Sequence, residues 1–118
     1  MMIVGIGIDV CDISRWREMV ARRPGAVDRL LTPAEAVLNH TSQAGRFAAK
    51  EALAKALGAP GGLGWQDAEV VIDELGRPSF RITGTVAARA AELGVTHVHL
   101  SITHDSGIAS AFVICEAI

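Results

Sequence analysis

Gly45-Arg46-Phe47-Ala48-Ala49-Lys50-Glu51-Ala52-Leu53-Ala54-Lys55-Ala56-Leu57-Gly58 is a helix by composition. It is dense in Ala, Leu, Lys and Glu, and it closes on a glycine of the kind that ends helices. Arg46 and Lys50 stand four apart, as do Glu51 and Lys55, so each pair shares a face. Ala49, Leu53 and Leu57 form an apolar stripe on another side. One carboxylate among three cations on one helix supports two readings. These are solvated surface ion pairs, or a carboxylate that holds a metal while the cations hold phosphates.

Outward from this helix, the chain begins Met1-Met2-Ile3-Val4-Gly5-Ile6-Gly7-Ile8-Asp9-Val10, apolar residues alternating with glycine and then meeting an acid. The pattern predicts a strand whose glycines admit a close neighbour and whose carboxylate lies near its end. Asp12 is placed to cap a helix over about Ile13–Arg22, stopped by Pro24-Gly25. Thr32-Pro33-Ala34-Glu35 has the form of a capping box with proline in the first turn, and the long helix follows from near Ser42. Ala59 to Gly64 is a loop of small residues. Strands are expected over Asp67–Asp73 and Ser79–Ile82 around a Glu74-Leu75-Gly76-Arg77-Pro78 turn, then a helix over Thr85–Leu93. His97–Thr103 and Ile108–Cys115 alternate as paired strands joined by His104-Asp105-Ser106-Gly107. The order predicts an α+β fold, an antiparallel sheet packed with helices around one long central helix.

The 118 residues support one domain, 1–118, and a net charge of −2 gives no reason to expect nucleic acid. Hydrophobic residues make up 50% of the chain but aromatics only 4%, so the core is built from Ala, Val, Leu and Ile. That is rich for so small a domain and predicts either a subunit interface or a well-filled core. Cys11 and Cys115 lie in apolar surroundings without metal spacing, as expected of buried thiols in a reducing cytoplasm. The apolar start is too short for a transmembrane span and lacks the basic flank of a signal peptide, so no membrane partner is expected.

Four segments together carry a resemblance. Gly5-Ile6-Gly7-Ile8-Asp9, Arg46-Phe47-Ala48-Ala49-Lys50-Glu51-Ala52, Gly76-Arg77-Pro78 and Leu100-Ser101-Ile102-Thr103-His104-Asp105 follow the signature order of the holo-(acyl-carrier-protein) synthases, the small 4′-phosphopantetheinyl transferases. The chain resembles that family over nearly its whole length. The resemblance implies the phosphopantetheinyl transferase fold and transfer of 4′-phosphopantetheine from coenzyme A to a serine of apo-acyl carrier protein. The products would be 3′,5′-ADP and holo-carrier for fatty acid or polyketide synthesis. It also implies Mg2+, with Mn2+ as the alternative, and a homotrimer with sites between subunits, because larger relatives fuse two copies around one site.

By the same resemblance Asp9 and Glu51 are the metal ligands and, with Lys55, the catalytic set. Magnesium suits two lone acids, since it keeps waters and substrate oxygens in its shell. Lys55 leans on the pyrophosphate, Arg46 and Lys50 on phosphates, and Gly76, Arg77 and Pro78 border the nucleotide. His104 contacts coenzyme A, and Arg15 docks the acidic carrier protein beside Arg17, Arg22 and Arg23. Read without the resemblance, Asp9 suits capping, Arg77 a polar hairpin tip, and His104 a structural place at a strand end. Glu51 acting through a metal-bound water is the simplest general base, and deprotonation of the serine by solvent is the other route. Asp105 departs from the uncharged residue common at its position, and the segment before Arg46 is shorter than in some members. Two rival functions share the same residues. One is a metal-dependent phosphodiesterase or nucleotidyl transferase, and the other is a non-catalytic nucleotide- or carrier-binding module.

Overall fold

The computed structural model describes residues 1–118. The first strand, β1 (Met2–Asp12), shows what its glycines admit. A Cβ at Gly5 would lie inside contact distance of the Ala56 carbonyl, and one at Gly7 inside that of Ala52. The close neighbour is therefore the backbone of the long helix, α4 (His40–Ala56). Asn39 caps α4 by accepting from the Ser42 amide at 2.9 Å, so the helix starts slightly before the expected Ser42. Gly58 leaves the helix at φ +86°, a conformation in which glycine carries no Cβ penalty. Ala49, Leu53 and Leu57 are buried as the stripe predicts.

β1 pairs antiparallel with β5 (Ile108–Ala117), which pairs antiparallel with β4 (His97–Asp105), in the order β1-β5-β4. The β4–β5 turn has both Ser106 (φ 52°) and Gly107 (φ 79°) in the left-handed region, the geometry of a two-residue hairpin. The Gly107 carbonyl accepts from the Ile13 amide at 2.9 Å, tying this tip to the start of α1 (Ile13–Arg22). The expected antiparallel sheet is thus divided, because β2 (Ala68–Ile72) and β3 (Pro78–Ile82) form a separate two-stranded ribbon. Helix α5 (Gly84–Glu92) follows this ribbon, its first turn held by Asp67, which accepts from the Thr85 amide at 2.9 Å.

Two segments differ from the sequence expectation. Pro24-Gly25 does not simply end α1, because Gly25–Leu30 forms a further short helix, α2. Six residues are too few to show a helical period, and burial of Ala26 and Leu30 beside Trp16 is what holds it. The Thr32 capping box is present, but its helix, α3 (Pro33–Ala36), lasts one turn, with its glutamate turned into the core.

That glutamate, Glu35, is the buried partner of Lys50. Their charged atoms lie 2.8 Å apart with side chains 1% and 2% exposed. Lys50 Nζ also donates to the Trp65 carbonyl at 2.9 Å and the Ala68 carbonyl at 2.6 Å, so all three of its protons are used. The other Glu35 oxygen accepts from the Val70 amide at 2.9 Å. One ion pair thereby joins α3, α4 and β2.

Removing either member leaves the other an uncompensated buried charge, so Lys50→Met and Glu35→Gln should each cost about 3–5 kcal/mol in urea unfolding. The double variant should lose less than the sum of the two.

Candidate active site

The inward side chains of β1 face α4, and this brings Asp9 to the helix. Lys55 Nζ lies 3.0 Å from Asp9 Oδ1 and donates to the Ile8 carbonyl at 3.0 Å. Glu51, one turn earlier on α4, has no hydrogen bond or ion pair of its own. Burial and then the Asp9 carboxylate push its carboxyl above the usual range, with Lys55 opposing them. Two neighbouring carboxylates, Glu51 of which is unpaired, make a donor set that a further cation would satisfy. A lone ammonium at Lys55 covers only one of them.

Beside Glu51 lies a cavity of about 220 Å³, walled by Ala54, Pro60, Gly62, Leu63 and Trp65. Its lining is mostly apolar, with Glu51 among its polar members. Arg46 lies on the same helix, before Lys50. Its Nε is the one buried side-chain nitrogen or oxygen without a hydrogen-bond partner, and burial lowers its pKa while Glu35 opposes the shift. An anion's oxygen would complete it. Lys50 is different. The expectation that it holds a phosphate is corrected, since its ammonium is enclosed by Glu35 and two carbonyls with no proton left to donate.

Gly76, Arg77 and Pro78 form the tip of the β2–β3 ribbon. Gly76 takes φ +82°, and Asp73 organises the turn by accepting from the Leu75 and Arg77 amides. The Arg77 guanidinium rests on Asp73 at 2.9 Å and is exposed. This turn faces β4 across a cavity of about 420 Å³, lined by Arg77, Pro78, His99 and Ser101. It lies on the far side of the sheet order from Asp9. His104 occupies the exposed end of β4, in the register row of Ala109 and Cys11. One chain therefore gathers Asp9, Glu51 and Lys55, and it holds the Gly76–Pro78 turn apart from them.

The basic patch is a groove of about 340 Å³. Its rim carries Arg15, Arg23 and Arg29, and its floor is Trp16, Phe47 and Trp65. The rings form a ladder, Trp16 to Phe47 with centroids 5.2 Å apart and Phe47 to Trp65 at 5.4 Å. Arg29 comes from α2 and was not among the sequence candidates. Arg17 turns away and donates to His40 Nδ1 at 3.2 Å. Trp65 was also missed. It lies just past a glycine-rich loop where no periodicity marks it, and the only signal was a tryptophan in a chain with two.

On the other face of the sheet, apolar side chains meet water. Ile6, Ile8 and Val10 are 60, 58 and 62% exposed, with Phe112 at 41% beside them. The same face on β4 carries His99, Ser101 and Thr103. No helix is long and apolar enough to cross a membrane.

The family model of the 4′-phosphopantetheinyl transferase superfamily matches residues 5–113. Holo-(acyl-carrier-protein) synthase of Cutibacterium acnes is 61% identical over 116 residues, covering 98% of this chain and 99% of that one. The crystal structure of the Neisseria meningitidis synthase is 33% identical with a TM-score of 0.88, covering 98% and 99% of the two chains. That of the Helicobacter pylori synthase in complex with coenzyme A is 32% identical with a TM-score of 0.83, covering 94% and 99%. Matched by the family model over residues 5–113 and by these relatives over nearly its whole length, the chain belongs to the 4′-phosphopantetheinyl transferase superfamily.

Proposed function

We propose that this protein is a holo-(acyl-carrier-protein) synthase, transferring 4′-phosphopantetheine from coenzyme A to a serine hydroxyl of apo-acyl carrier protein. The observation that carries the reading is the convergence of Asp9, Glu51 and Lys55, with Glu51 also lining a cavity, in a member of this superfamily. In-line attack on the β-phosphorus needs the pyrophosphate held still, its charge balanced and the serine presented. Lys55 supplies a point charge for the pyrophosphate oxygens. Arg46 offers its unpaired Nε to a further phosphate. The apolar cavity beside Glu51 suits the aliphatic pantetheine arm. As a ligand of the cation, Glu51 would act on the serine proton only through an intervening water, with solvent as the other route.

Asp9 and Glu51 would hold Mg2+, or Mn2+ in its place, and the ion would supply charge neutralisation of the pyrophosphate. Two carboxylates with Glu51 unpaired fit a cation that keeps most of its shell for water and substrate.

The Gly76–Pro78 turn and His104 complete a coenzyme A site only if a second copy supplies them, since one chain holds the turn away from Glu51. The exposed Ile6, Ile8, Val10 and Phe112 face is the surface such copies would share, and a closed ring of three is the assembly proposed. The groove rimmed by Arg15, Arg23 and Arg29 would receive the acidic carrier protein by charge complementarity.

Mass spectrometry of apo-carrier after incubation with coenzyme A and Mg2+ should show the gain of one phosphopantetheine, and EDTA should abolish it. Asp9→Ala and Glu51→Ala should each lower kcat by about 100-fold or more, and the double variant should lose little beyond either one. Full additivity would argue against a shared metal, and turnover of coenzyme A without carrier would reject the synthase reading.

Arg15→Ala should raise KM for the carrier while leaving that for coenzyme A within about twofold. The difference should fade toward 1 M salt, where the screening length is about 3 Å. Equal effects on both substrates would place Arg15 elsewhere.

Light scattering should give three times the chain mass, and Ile8→Asp should reduce both mass and activity. A fully active monomer would end the assembly proposal.

A further inference from the structure

The arginine-rimmed groove and the cavity beside Glu51 share one wall. Trp65 lines both, with Arg15, Trp16 and Phe47 on one side and Glu51, Ala54 and Leu63 on the other. We infer that Trp65 is a positioning residue that couples occupancy of the groove to occupancy of the cavity. The inference rests on the proposed function, in which these hold carrier protein and coenzyme A.

The backbone of this residue is held from several directions. Lys50 donates to its carbonyl at 2.9 Å. The next residue, Gln66, donates its side-chain amide to the Leu31 carbonyl at 3.0 Å, and Asp67 accepts from the Thr85 amide at 2.9 Å. The Trp65–Asp67 turn therefore cannot drift. The indole itself is only half-buried. It stacks on Phe47 at 5.4 Å with planes 26° apart, and Trp65 lines both cavities. The loop leading into it is open at Gly61 and Gly62, with no neighbouring atom where a Cβ would stand. A fixed backbone carrying a half-free ring behaves as a movable wall.

A ligand in either cavity packs on the ring and limits its torsions. The second ligand then meets a wall already ordered and loses less entropy on binding. The coupling is positive and reciprocal, so carrier tightens coenzyme A and coenzyme A tightens carrier by the same factor. Phe47 and Trp16 extend the wall along the groove floor, so an object seated under the arginines bears on the ring through stacked contacts.

The test measures coenzyme A affinity by calorimetry with Mg2+, with and without a saturating carrier protein whose target serine is alanine. In the wild-type chain the carrier should tighten coenzyme A by about fivefold or more. Trp65→Phe, which keeps a ring on Phe47, should retain most of that factor. Trp65→Ala should bring it close to one. In turnover, Trp65→Ala should lower kcat by about tenfold while thermal melting reports a folded chain, and Trp65→Leu serves the same purpose if the alanine variant does not fold. The inference is overturned if the carrier leaves coenzyme A affinity unchanged in the wild type. It is equally overturned if the factor survives in Trp65→Ala, or if activity falls only as far as the melting curve does. These results leave the proposed function standing so long as the wild-type chain modifies the carrier, whereas absence of that modification would remove both.

Discussion

The ion pair between Lys50 and Glu35 is the constraint on which the rest of the chain hangs. An ammonium with three protons in an apolar interior needs three acceptors, and the fold supplies one from each of three places. Meeting that need fixes where α3 turns inward, where the Trp65 turn sits and where β2 begins. It also orients α4, because Lys50 can reach its acceptors only if one face of the helix is turned from the sheet. Glu51, the next residue, then emerges beside the cavity, and Lys55 one turn later lies over Asp9. Such a pair contributes little net stability against an apolar replacement. Its effect here is to select one arrangement of four elements.

The second constraint is closeness. Gly5 and Gly7 let α4 lie directly on β1, with alanines at 52 and 56 as the facing residues. A shallow helix–strand gap brings a short carboxylate on the strand within reach of a lysine on the helix. With a bulkier strand, Asp9 would stand farther from Lys55. The glycines that look permissive in the sequence are in this sense the spacing element of the acid–base cluster.

Much of this was legible beforehand, and the reasons differ by element. Asp12 and the residues after it form the expected helix, because a local cap decides its start. The long helix ends at Gly58 for an equally local reason. Asp9, Glu51 and Lys55 meet as the motifs suggested. Lys50 could not be placed correctly, because its partner Glu35 belongs to another element and burial of a lysine is invisible to helical periodicity. The α2 helix escaped because tertiary burial, not propensity, sustains it. Arg29 and Trp65 escaped for a related reason. Each joins its groove only through folding, and neither belongs to a motif. The division of the sheet was likewise hidden, since strand propensity does not say which strands pair.

The contact between the Gly107 carbonyl and the Ile13 amide changes how the β4–β5 hairpin should be regarded. The tip of an exposed hairpin is ordinarily where a chain tolerates an extra residue or a graft. Here it is also the seat of the first turn of the arginine-bearing helix, at 2.9 Å. Lengthening the tip would unseat that turn and shift Arg15 along with it. This hairpin is therefore closed to insertion despite its exposure.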